Sequence, residues 1–264
     1  KLIDRSYWKY ALRFSLPLIP EVLSIQIMNQ ADKLMVTRIT GDIPGSIFAV
    51  ATTVSYIIWI LEDSVWNAWL PWMYEKIARN EAGEIRGSWS TLMHGFGVIS
   101  WVLVLFAPEI ILILGGKKYA DAIWLIAPMV TGTLFRFYSY SYTAIQNFHK
   151  KTKFVAISTV FVMFLNVFLN YVGIRTFGYQ AAAYTTAFSY LVLMIMQAFM
   201  EKRLTGTQII PLSCAYFITC VVTMAAFRFP FWGRCIFALI AAPIALWYFL
   251  PRLKSIRMLM KKKK

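Results

Sequence analysis

The sequence predicts an all-α fold, a polytopic membrane helix bundle with eight transmembrane helices, and three observations carry that expectation. The chain of 264 residues is 59% hydrophobic and 15% charged, with a mean hydropathy of +0.59, against about 45–50% apolar and about 25% charged for soluble domains. Apolar runs of about 20 residues, long enough to cross a bilayer, recur along almost the whole length. Each run is continuously apolar and does not alternate with period two, so helices are expected and not a barrel.

The expected spans are Ala11 to Ile39, Ser46 to Tyr74, Trp89 to Leu114, Ala120 to Asn147, Phe154 to Ile174, Ala181 to Met200, Ile209 to Phe227 and Phe231 to Leu250. The connections between them are short and polar, and the longest, "YEKIARNEAGEIRGS", reads as a hairpin loop. Several spans exceed the minimum length and contain Pro, so tilts or breaks are expected. Pro108 should divide the third span into a membrane helix and a short interfacial one, "APEIILILGGKKY".

Charge placement orients the bundle. Of the 27 Lys and Arg residues, nineteen collect on one side: the N-terminal Lys1, Arg5, Lys9 and Arg13, then Lys76, Arg79, Arg86, Lys150, Lys151, Lys153, Lys202, Arg203 and the C-terminal basic tail. Seven fall on the other, and Arg136 lies inside a span. This bias places both termini in the cytoplasm, as an even number of spans requires. The final "KKKK" suits anionic headgroups at about 1 kcal/mol per charge. A basic chain also raises nucleic-acid binding, but no basic domain stands outside the membrane, so no nucleic-acid partner is expected. Cys214, Cys220 and Cys235 lack Cys-x-x-Cys spacing and read as small apolar side chains.

Polar groups inside spans are where function is sought, because each costs on the order of 2.5–3.5 kcal/mol at a span centre unless it faces protein or a wet cavity. In the first span, "SLPLIPEVLSIQIMNQADK" places Glu21 and Asp32 eleven residues apart, nearly three turns, with Asn29 near the same face. These face either a cavity or the headgroup regions. Pro17 and Pro20 remove backbone donors just before that face and are expected to act as hinges, with Pro71 a third candidate hinge. The second span, "WILEDSVWNAWLPWMYEK", sets Trp59, Glu62 and Trp66 in one stripe and Asp63 and Asn67 in the next. Rings beside acids and amides either pack structurally or contact sugars. In the fourth span, Arg136 and Tyr140 share a face. Arg136 pairs with Glu21, Glu62 or Asp63, or its guanidinium fork receives a phosphate. Asn166 and Asn170, at i and i+4 of the fifth span, either bond across helices or line the same cavity. The small residues of "QAAAYTTAFSY" permit close helix contact. His94 and His149 stand outside any ligand pattern, and no Walker loop is present. No catalytic residue, metal site or cofactor is therefore expected, and the chain reads as a non-enzyme.

The stretches "ALRFSLPLIPEVLS", "DSVWNAWLPWMYEKI", "LFAPEIILILGGKKYADAIWLIAPM" and "FGYQAAAYTTAFSYL", in that order, resemble the C-terminal half of polysaccharide flippases of the multidrug/oligosaccharidyl-lipid/polysaccharide exporter superfamily. The resemblance implies that residues 1–203 form the second six-helix lobe of a transporter and residues 204–264 two further transmembrane helices with a basic tail. A preceding N-terminal lobe, missing from this chain, would be a partner. It also implies a bacterial-type cytoplasmic membrane and a substrate, polyprenyl-diphosphate-linked oligosaccharide, moved between leaflets by alternating access. Membrane lipids would be the other contact. On that expectation Arg136 serves the diphosphate, and the acids and aromatics serve the sugars. The alternative within the superfamily is a proton- or sodium-coupled drug or metabolite antiporter, in which Glu21, Asp32, Glu62 or Asp63 carries the ion. A membrane-embedded glycosyltransferase or polymerase is disfavoured by the short outer loops.

Overall fold

The computed structural model describes residues 12, 15, 16, 18–206, 209–210, 231–236 and 239, and every described regular element is helical. In chain order these are α1 (Leu18–Thr40), α2 (Asp42–Ala78), α3 (Ala82–Leu105), α4 (Ala107–Gly115), a 3-10 turn (Lys117–Ala122), α5 (Ile123–Phe148), α6 (Thr152–Phe177) and α7 (Ala181–Thr205). A short helical stretch covers 231–236.

Four of these, α2, α3, α6 and α7, are long and apolar enough to cross a membrane. The expectation of eight transmembrane helices, arranged as a six-helix lobe plus two, is therefore corrected. Every stretch of α1 long enough to span contains Asp32 and Lys33 together with Glu21 or Arg38. In α5 the long apolar run is interrupted by Thr131, Thr133, Ser139, Ser141, Thr143, Gln146 and Asn147 as well as Arg136. Both helices have the length of a span, but their polar content exceeds that of a lipid-exposed one. Most of the stretches expected to span at 209–227 and 231–250 lie outside the described residues.

The chain forms two compact units, and the division falls inside α2 and inside α5. The first, Lys1–Ala49 with Phe135–Gln208, contains α1, the later part of α5, α6 and α7. Within it α1 packs against α6 and α7, and α6 against α7. The buried side chains of α1 are Ser24, Met28, Asp32 and Val36, one every fourth residue, while Val22, Leu23, Ile27 and Leu34 are exposed. The helix thus turns a mixed polar stripe inward and aliphatic side chains outward, the reverse of a soluble amphipathic helix. Gly173 brings α6 onto α7: a Cβ there would lie 3.2 Å from both Ala181 Cβ and Thr185 Cγ2. This is the close approach expected of small residues between membrane helices. The exposed sides of α6 and α7 carry Phe161, Phe164, Phe168, Phe188 and Phe199, a surface suited to lipid. Arg175 stacks over Tyr171 at 4.2 Å and Arg203 over Phe199 at 4.5 Å, near the C-terminal ends of these antiparallel helices.

The second unit, Val50–Leu134 with Ile209–Lys264, holds most of α2, α3, α4 and the first part of α5. The segment expected as a hairpin loop is mostly helical, and only Arg79, Asn80 and Glu81 separate α2 from α3. Charge pairs hold its ends: Arg79 meets Glu75 at 2.7 Å, Lys76 bonds Glu81, and Lys76 reaches Glu84 at 2.7 Å. Asn80 takes the left-handed conformation (φ 58°), which an Asn tolerates well. Trp69 Nε1 donates to Ser88 Oγ at 2.9 Å and its ring lies 5.4 Å from that of Trp89, fixing α2 on α3. The third span is interrupted at Phe106, and Pro108 sits in the first turn of α4, where its missing N–H breaks no intrahelical bond.

The proline hinges fall as follows. Pro17 lies outside the described residues. Leu16 is in a turn, and Pro20 sits in the first turn of α1, where a proline is tolerated. Pro71 lies within α2, which continues past it to Ala78, so it removes the bond that the Asn67 carbonyl would accept without ending the helix.

Candidate functional site: a buried carboxylate shared by three helices

Asp32 lies on the inward stripe of α1 and is only 7% exposed, while Asn166 and Asn170 on α6 are wholly buried. Asn170 Nδ2 donates to Asp32 Oδ1 at 2.6 Å, and Thr186 Oγ1 on α7 donates to Asp32 Oδ2 at 2.6 Å. Asn166 Nδ2 in turn donates to Thr186 Oγ1 at 2.9 Å, Asn170 Nδ2 lies 3.4 Å from Asn166 Oδ1, and the Thr185 hydroxyl donates to Asn170 Oδ1. One helical turn earlier on α1, Asn29 Oδ1 accepts from Tyr190 Oη at 3.0 Å.

The local sequence explains the convergence. Asn166 and Asn170 are one turn apart and share a face of α6, and Thr185 and Thr186 stand one turn into α7, where Gly173 lets the two helices approach. Each carboxylate oxygen thus receives a donor from a different helix, which is how a buried charge is made tolerable. The oxygens of Asp32, Asn166, Asn170, Thr185 and Thr186 together form a small hard-oxygen environment carrying one carboxylate. Such a set suits a proton or a small hard cation and offers nothing to a soft metal. Among the described residues no group of His, Cys, Asp and Glu is arranged to hold a metal ion.

The other predicted residues distribute along the helices. Glu21 is half-buried in the first turn of α1. In the same unit Arg136 is 3% exposed, with Nη1 donating to Tyr140 Oη at 3.3 Å and the guanidinium 5.0 Å from the Tyr140 ring centre. In the second unit Trp59 stacks on Tyr56 at 4.5 Å and Trp66 lies 5.8 Å from Trp69. There too Glu62 is buried, Asp63 half-buried and Asn67 exposed. The structure therefore joins Asp32 with Asn166 and Asn170, and Arg136 with Tyr140. Each belongs to the first unit.

Sequence reasoning passed over Thr185, Thr186 and Tyr190, taking "QAAAYTTAFSY" only as a stretch of small residues. The available signal was the pair of hydroxyls and the tyrosine one turn later. Of the cysteines, Cys235 is a free thiol, and the other two lie outside the described residues. No family model, no curated protein and no solved structure matches this chain.

Proposed function

We propose that this chain belongs to a transporter of a bacterial-type cytoplasmic membrane that moves polyprenyl-diphosphate-linked oligosaccharide between leaflets by alternating access, without enzymatic chemistry. The observation that carries the transporter reading is the Asp32 carboxylate, held inside a membrane-type helical unit by donors from α6 and α7. An intramembrane acid of this kind is expensive to maintain for stability alone and is a functional site by default. The lipid-diphosphate substrate rests on the ordered motifs of the sequence, with Arg136 the residue whose guanidinium matches phosphate. The basic connections face the cytoplasm.

The same carboxylate favours a second reading, a cation-coupled antiporter of a drug or metabolite, because its immediate partners are hydroxyls and amides from α6 and α7. One experiment separates the two. The full-length protein is placed in liposomes under a Na+ or proton gradient, and transport of a labelled lipid-diphosphate oligosaccharide is followed beside that of an organic cation. Gradient-dependent flipping that falls at least tenfold in Asp32→Asn is expected. Cation extrusion without flipping would establish the antiporter, and transport indifferent to Asp32→Asn would overturn the coupling role.

A further inference from the structure

The polar face of α7 does not end at Thr186. Tyr190 follows one turn later, Gln197 two turns beyond that and Glu201 one turn further, all within about 60° around the helix. Ser189, Tyr190, Gln197 and Glu201 are all buried, although α7 is apolar enough to cross a membrane. The stripe is therefore covered by protein along the whole helix. Holding α7 in register needs one polar layer, and this stripe carries two.

A second layer surrounds Gln197. Gln146 Nε2 on α5 donates to Gln197 Oε1 at 2.6 Å, Gln197 Nε2 donates to Ser158 Oγ on α6 at 2.8 Å, and Ser158 donates to the Phe154 carbonyl at 2.8 Å. Between this layer and the Asp32 layer lie Val162 and Met163 of α6 and Leu193 and Met194 of α7, all buried. The rise from Tyr190 to Gln197 is about 10 Å. Two atoms in these layers, Asn29 Nδ2 and Gln146 Oε1, are shielded from solvent and find no partner among the described residues. One is a donor and the other an acceptor. An amide left so forfeits a hydrogen bond that it would make in water, and buried water is the partner that ordinarily satisfies such groups.

We propose that a file of water enters the first unit beside Glu201, passes Gln197, and reaches Asp32 through the Tyr190–Asn29 layer, giving the carboxylate access to the coupling cation from the side on which α6 begins and α7 ends. The role in coupling rests on the reading of Asp32 given above, whereas the water route itself does not. Its narrow, apolar part is the turn at Leu193 and Met194.

The methionines on the route report on it directly. Hydroxyl-radical footprinting of the full-length protein in lipid nanodiscs oxidises a methionine to its sulfoxide where water stands beside it. Met194 and Met28 are as completely buried as Met73, which lies in the second unit and serves as the dry reference. Met194 and Met28 are expected to oxidise at least tenfold faster than Met73, and Gln197→Leu should return Met194 to the Met73 rate. Oxidation of Met194 in the unsubstituted protein as slow as that of Met73 overturns the route, whatever the folding of the variant. If Met194 oxidises fast but transport is indifferent to Asp32→Asn, the route stands and its coupling role falls.

Discussion

Arg234 forks onto Glu109. Its Nη1 lies 3.0 Å from Glu109 Oε2, its Nη2 bonds Glu109 Oε1, and Nη1 also donates to the Leu105 carbonyl at 3.2 Å. That carbonyl ends α3, just before the interruption at Phe106. The guanidinium therefore binds the last carbonyl of one helix and an acid in the first turn of the next.

The first prediction follows from that geometry. Arg234 is 6% exposed and Glu109 is partly exposed, so the pair lies between a buried and a surface salt bridge. Arg234→Ala should destabilise the second unit by roughly 1.5–3 kcal/mol, the range of hydrogen bonds to charged groups. Arg234→Lys should recover less than half, because a lysine cannot make the fork and reach Leu105 together. Thermal unfolding in detergent, with Glu109→Gln completing a double-mutant cycle, checks both.

A second prediction concerns Asp32. Asn170→Ala removes the donor to one carboxylate oxygen and Thr186→Val the donor to the other. Each should cost about 1–3 kcal/mol, as when a buried acceptor loses its donor. The two effects should not be additive, because both act through one carboxylate, with a coupling of about 0.5–3 kcal/mol. Asp32→Asn in the Asn170→Ala background should restore part of the loss by removing the charge left short of donors. Denaturation of the four variants in matched detergent reads the cycle. Strict additivity would mean that the two donors do not share a carboxylate in solution.

How far these sites were legible differs by residue. Asn166 and Asn170 share one face by spacing alone, and Asp32 stands out as an acid within an expected span, so all three are visible as candidates in the sequence. Their meeting was not visible, because Asp32 and Asn170 are far apart in sequence and a spacing rule acts only within one helix. The polar content of α1 and α5 misled for the opposite reason. A run of apolar residues looks like a span until its hydroxyls and amides are weighed, and in α5 these are almost all buried. Charge counting places Arg234 only among the seven basic residues of the other side, and it cannot see that a break at Phe106 leaves a carbonyl nearby.

The third prediction tests the contact between α6 and α7. A Cβ at Gly173 would stand 3.2 Å from Ala181 Cβ and Thr185 Cγ2, closer than comfortable van der Waals contact. Gly173→Ala is expected to shift α7 by a few tenths of an ångström, and Gly173→Val to destabilise by about 1–3 kcal/mol through overpacking. Because Thr185 bonds Asn170, the valine should also weaken the Asp32 cluster, whereas Thr185→Ser removes the obstructing methyl and keeps the hydroxyl. Stability of Gly173→Val alone and combined with Thr185→Ser checks this, the pair being expected to regain about half of the loss.

The fourth prediction asks what Arg136 does. Its guanidinium is buried beside Tyr140, bonded to the hydroxyl and stacked on the ring, an arrangement that presets the plane of the fork. If that fork receives a diphosphate, Arg136→Lys keeps the charge but loses the two-point match to phosphate oxygens. Lysine is then expected to raise KM for the lipid-diphosphate substrate several-fold with little change in melting temperature, and Arg136→Ala to lower transport about tenfold. Tyr140→Phe keeps the ring and loses one 3.3 Å bond, so its effect should be under threefold. The opposite outcome, a large loss of thermal stability in Arg136→Lys with KM unchanged in the folded fraction, would make Arg136 a structural residue. Transport kinetics in liposomes and melting curves on the same preparations separate the two, because a positioning role moves KM and a packing role moves only the amount of folded protein.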